Sequence, residues 1–66
     1  MNTEKMGQTL RELRGQVPME SVVNAVGISK SALSMYERGE RTPRDRVKLR
    51  LARFYGKSVE FIFFNE

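Results

Sequence analysis

The 66-residue sequence has no cysteine and no histidine. Without cysteine there is neither a disulfide nor a thiolate metal site, which suits a reducing compartment. Without histidine the commonest general base and the commonest zinc ligand are missing. The eight acidic residues are scattered, and no D-x-D-x-D-G loop, G-x-x-x-x-G-K-[ST] loop or G-x-G-x-x-G turn occurs. No set of reacting groups converges. The chain is therefore not expected to be an enzyme, and no cofactor, metal or small-molecule ligand is expected. Long hydrophobic runs are also lacking. The longest is Phe61-Ile62-Phe63-Phe64, far short of the ~20 residues that span a membrane. The opening MNTEKMGQ does not have the basic-then-apolar layout of a signal peptide. These absences lead us to expect a soluble, cytoplasmic protein with no membrane association. No repeat or low-complexity segment is visible, and no segment alternates apolar and polar residues long enough to form a strand.

What is there is positive charge, unevenly placed. The net charge is +4. Residues 1–37 balance Lys5, Arg11, Arg14 and Lys30 against four acids, whereas residues 38–53 carry seven bases against Glu40 and Asp45. Residues 54–66 set Lys57 against Glu60 and Glu66. The whole excess lies in one segment, as either a solvated helix face or the footprint of a polyanion.

Glycine, proline and serine divide the chain into five helical pieces, and the short connections suit one helical domain over residues 1–66. Asn2 or Thr3 can cap the first, whose apolar face is Met6, Leu10 and Leu13, with Gly15 at its end. Pro18 suits the first turn of the second, which carries Val22, Val23 and Val26 and stops at Gly27. Ser29 caps a third, with Ala32, Leu33 and Tyr36 inward and Gly39 as its left-handed cap. Thr42 and Pro43 open a fourth, with Val47, Leu51, Ala52 and either Phe54 or Tyr55 buried, closed by Gly56. Ser58 caps a short fifth, with Val59, Ile62 and Phe63 inward. None is long enough to be stable alone, so packing must hold them.

The segment VVNAVGISKSALSMYER, residues 22–38, joins two short helices through a glycine turn, with the helix-turn-helix unit over about residues 19–37. Gly27 permits φ > 0 in the tight turn. Val23 and Ala32 lie where the helices cross, and Lys30, Ser31, Ser34 and Met35 occupy the outward face of the second helix. A helix of this kind fits the major groove of DNA.

These residues resemble the Xre/Cro–C1 helix-turn-helix family, which includes the lambda-type phage repressors. LRELR at 10–14, VGISKSALSMYERGERTP at 26–43 and LARFYGKSVEFIF at 51–63 carry the resemblance, over about residues 6–63. The resemblance implies an all-α, compact five-helix, lambda-repressor-like domain that binds double-stranded operator DNA as a homodimer on two half-sites. It implies that Lys30, Ser31, Ser34 and Met35 read bases, Met35 through a thymine methyl unless it is only filler. It implies phosphate contacts from Ser29, Arg38, Arg41, Thr42 and Arg44, helped by free N–H groups after Pro43. It also implies a structural ion pair between Arg14 and Glu37. Of Arg46, Lys48, Arg50 and Arg53, at most one or two are expected near DNA.

The sequence departs from the family pattern at several positions. Met19 stands where Gln or Thr is usual, so a side-chain contact is expected to be lost there. Val23 replaces a usual Ala, the Gly15–Pro18 link is short, and Asp45 and Lys48 occupy positions that are more often apolar. Phe61 replaces a polar residue, which makes Phe61 and Phe64 the candidates for a dimer contact, unless one of the rings closes the core. The expected activity is transcription regulation, as a phage or mobile-element repressor. The alternative is an antitoxin-like or other protein-interaction module that uses the aromatic C-terminal end.

Overall fold

The computed structural model describes residues 3–64. Their apolar spacings resolve into five helices: α1 (Thr3–Arg14), α2 (Met19–Val26), α3 (Lys30–Glu37), α4 (Asp45–Tyr55) and α5 (Val59–Phe63). There is no strand among the described residues. The fold is all-α, as expected.

Local chemistry sets most of the helix ends. The Ser29 hydroxyl oxygen accepts the Ala32 N–H at 3.0 Å, and that of Ser58 accepts the Phe61 N–H at 3.0 Å. Each serine thus satisfies one donor that the first turn leaves open. Gly27 and Gly56 end α2 and α4 in the left-handed region. Asn2 lies outside the described residues, and Thr3 already belongs to α1. Pro18 is the N-cap of α2 rather than part of its first turn.

The start of α4 differs from the sequence expectation. Thr42 does not cap it; Arg44 does, with φ −69° and ψ 162° and no side-chain capping bond. The first helical bond runs from the Lys48 N–H to the Arg44 carbonyl at 2.9 Å. Residues 41–44 are non-helical and Pro43 is buried among them. A residue before proline avoids the α region, which keeps Thr42 out of a helix. The buried proline ring, having no N–H, can be packed without an unpaired donor.

The core is formed by Met6, Leu10, Val22, Val26, Leu33, Tyr36, Leu51, Ala52, Ile62 and Phe63. All five helices contribute, and a buried side chain of this size stabilises the fold by ~1.5–3 kcal/mol. Helix α1 packs on α3 and α5, and α4 packs on α2 and α5. The α5 ring that closes the core is Phe63, 1% exposed, whereas Phe61 and Phe64 are 46% and 54% exposed. Of the two candidates at the end of α4, Tyr55 is half-buried and Phe54 is exposed. Lys48 is buried rather than solvated. Its stem lies inside, and its Nζ sits 5.8 Å from the Phe63 ring centre, 4.9 Å from that of Phe64 and 3.8 Å from Asp45 Oδ1. A long stem with a charge held over ring faces explains how lysine occupies a largely apolar position.

The closest helix approach was not foreseen from the sequence. A Cβ on Gly7 would lie 2.5 Å from the Glu37 carbonyl oxygen and 2.9 Å from the Gly39 nitrogen. One on Gly39, itself at φ +72°, would lie 2.7 Å from the Thr3 carbonyl oxygen. Helix α1 therefore meets the end of α3 backbone to backbone. In an ordinary helix interior, alanine is favoured over glycine by ~1 kcal/mol. Here Gly7→Ala should instead lower stability by about 1–3 kcal/mol, because neither backbone can yield without repacking. Urea unfolding midpoints of the two proteins check this, and an equal or more stable variant would contradict the close approach.

Candidate nucleic-acid interface

Helix α3 presents Lys30 and Ser31 fully outward, with Ser34 and Met35 half-buried one turn on. The four side chains line one shallow depression, joined by Met19 from the start of α2 and Arg38 from the end of α3. All four base-reading candidates are thus together on one surface. Met19 adds its side chain to that surface, although the departure from the family pattern suggested that a contact was lost there.

Two charged residues of the depression are already engaged. Lys30 Nζ lies 3.8 Å from Glu20 Oε1, and Arg38 Nη2 donates to Glu40 Oε1 at 3.2 Å. Both pairs are well exposed. Exposed pairs of this kind hold together by only ~0–1 kcal/mol, so an anion can compete for either cation. Arg38 is thus present at the expected face but not idle.

The other phosphate candidates lie outside the depression. The Ser29 hydroxyl accepts from Ala32, which leaves its hydrogen free to donate. Arg41 and Arg44 are exposed, Thr42 is half-buried, and neither arginine forms an ion pair among the described residues. The N–H groups that open α4 begin at Asp45, because the helix starts two residues later than expected. The Asp45 carboxylate stands beside them, 97% exposed. That end of the helix is therefore a weaker seat for an anion than the sequence suggested. Arg50 turns away to donate from Nη1 to the Val26 carbonyl at 3.2 Å, tying α4 to the end of α2.

Behind this surface Glu37 points inward. Arg14 donates from Nε to Glu37 Oε2 at 2.7 Å and from Nη2 to Oε1 at 3.1 Å, and from Nη1 to the Val17 carbonyl at 3.0 Å. The pair is bidentate, the stronger form of arginine–carboxylate contact. It joins α1 to α3, and its third donor fixes the link to α2. Donating to the Glu37 carboxylate holds the Arg14 pKa above its ordinary value.

A model of the helix-turn-helix domain family matches residues 5–60. The chain belongs to that family, in its Xre/Cro–C1-like type. Among curated proteins none matches the chain. A helix-turn-helix domain indicates a DNA-binding regulator, and the family is typically non-enzymatic. No described helix is long and apolar enough to cross a membrane. Among the described residues no group of three or more acidic side chains gathers to hold a metal ion.

One further polar group lies near the Arg14–Glu37 pair. The Tyr55 hydroxyl is buried and has no hydrogen-bond partner among the described residues. Burial, with the nearby Glu37 charge, pushes its pKa up to about 12, and Arg14 partly offsets the shift. The sequence signal was only "Phe54 or Tyr55", because Phe54 follows Val47 by seven residues and Tyr55 follows Leu51 by four, and both are spacings of one helix face. Unfolded tyrosine titrates near ~10. The neutral hydroxyl therefore contributes a stability that is fully present below pH ~10 and is lost as the pH rises through about 12. Between these values the melting temperature of the wild type should fall more steeply than that of Tyr55→Phe. Thermal melts of both proteins from pH 8 to 12 check this; parallel profiles would contradict it.

Proposed function

We propose that this helix-turn-helix protein is a sequence-specific transcription regulator, a repressor of phage or mobile-element type. On this reading the 66 residues act as one DNA-binding domain. Helix α3 enters the major groove, Lys30, Ser31, Ser34 and Met35 meet base edges, and Ser29, Arg38, Arg41, Thr42 and Arg44 hold phosphates. Bound at a promoter, the protein excludes polymerase. The observation that carries this reading is the depression that holds all four α3 side chains, with Arg38 at its edge. A bidentate or well-seated base contact discriminates by ~1–3 kcal/mol, and phosphate contacts add affinity without sequence preference.

One copy measures 28 Å along its longest axis, less than the ~34 Å that separates successive major-groove faces. A homodimer on two half-sites therefore suits the size of the domain. The groove between α4 and α5, lined by Asp45, Lys48, Leu49, Val59, Glu60 and Phe64, supports a protein contact on that side. Leu49 is 50% exposed and joins Phe64 there, while Phe61 stands apart under Lys57. The same groove favours the second reading, an antitoxin-like module that binds another protein.

Selection of bound sequences from random duplexes at physiological salt tests the main reading, with a palindromic site as the expected result. Binding to a protein but to no duplex would favour the second reading. On the selected site, replacing Arg41 and Arg44 by alanine should reduce the log–log salt slope by about 1.8, ~0.9 for each phosphate released. An unchanged slope would remove both from the phosphate contacts. For the dimer, Phe64→Glu should yield a monomer by sedimentation that binds a single half-site as the wild type does. A dimeric Phe64→Glu protein with full operator affinity would exclude this groove as the interface.

A further inference from the structure

We propose that the α3 depression reads pyrimidine C5-methyl groups, with Met19 as a second contact beside Met35. The inference rests on the reading that α3 enters the major groove. The lining of the depression consists of two thioether side chains, two serine hydroxyls and two cations. The cations stand at exposed positions and are drawn toward carboxylates, Lys30 toward Glu20 at 3.8 Å and Arg38 toward Glu40 at 3.2 Å. Beside them the depression is lined by Met19, Ser31, Ser34 and Met35. Both methionines are half-buried, so each offers apolar surface without being sealed in the core.

The major groove presents donors and acceptors at every base pair, but only one apolar group, the C5-methyl of thymine or of 5-methylcytosine. A surface bounded by two thioethers matches that group and no other feature of the groove. Methionine is flexible and polarisable, so two of them can close on a methyl from either side. Serine adds little discrimination of its own, because a hydroxyl both donates and accepts. Specificity at this position thus comes from the apolar pair. Met19 contributes because α2 begins beside the outward face of α3, a placement that a polar residue at position 19 would use differently.

The test starts from the selected duplex. Each thymine is replaced singly by deoxyuridine, which removes one methyl group and nothing else. At one or two positions per half-site the affinity should fall about four-fold, the worth of one buried methyl. A cytosine analogue pair at that position, with and without the 5-methyl group, should show the same difference. Met19→Gln and Met35→Gln keep the side-chain length, and each should reduce the thymine-to-uracil difference. Circular dichroism and the melting temperature of each variant serve as the folding control, and the quantity read is the ratio of thymine to uracil affinity within each variant, whatever its absolute affinity, as in a double-mutant cycle. If no duplex sequence is selected, the major-groove reading itself fails. If a site is selected but uracil is accepted everywhere, only the methyl inference is overturned. If Met35→Gln removes the difference and Met19→Gln leaves it intact, the role assigned to Met19 is overturned.

Discussion

Glu37 holds α3 in place through two different parts of itself. Its carboxylate, 5% exposed, takes two N–H groups from Arg14. Its backbone carbonyl sits where a side chain on residue 7 would begin. The first contact satisfies a buried charge, which is costly to leave unpaired. The second requires a glycine. Together they press α1 against the end of α3, and the direction of α3 determines which side chains face outward. The Arg14 bond to the Val17 carbonyl extends the same constraint to the entry of α2. The two helices of the turn are thus oriented by a third.

The uneven charge of the sequence is divided by the fold into separate tasks. Of the seven bases between residues 38 and 53, Lys48 is inside over aromatic rings, Arg50 caps the end of α2 and Arg38 is paired with Glu40. Arg41 and Arg44 stay exposed on the connection beside α3. A basic segment is therefore not the same as a basic surface. Side-chain stems long enough to reach a carbonyl or a ring face withdraw charge that a linear count assigns to solvent.

Other parts of the surface are apolar. Leu49, Phe54, Phe61 and Phe64 are exposed, and only part of that apolar surface gathers into one groove with Leu49 and Phe64. Phe61 and Phe64 were a single pair in the sequence. The fold separates them: Phe61 lies under Lys57, whereas Phe64, just past the end of α5, joins Leu49 of α4.

Much of this was legible in the sequence because it depends on neighbours along the chain. Serine caps, positive-φ glycines and three- and four-residue apolar spacings act within one turn, so they define α2, α3 and α5 without reference to the rest. The motif from Gly27 to Arg38 lies within that range, which is why the helix-turn-helix and its outward face could be read directly. Other features depend on distant residues. Gly7 is needed because the Glu37 carbonyl lies against it, and Met19 joins the α3 surface because α2 crosses there. The start of α4 moves to Asp45 around the buried Pro43, and it is Tyr55 rather than Phe54 that turns inward, on the face of Lys48, Leu51 and Ala52. Sequence determined the elements and the outward residues of α3, through local backbone and capping energetics. Tertiary structure alone decided which side chains share a surface, because that depends on close packing between elements far apart in the chain.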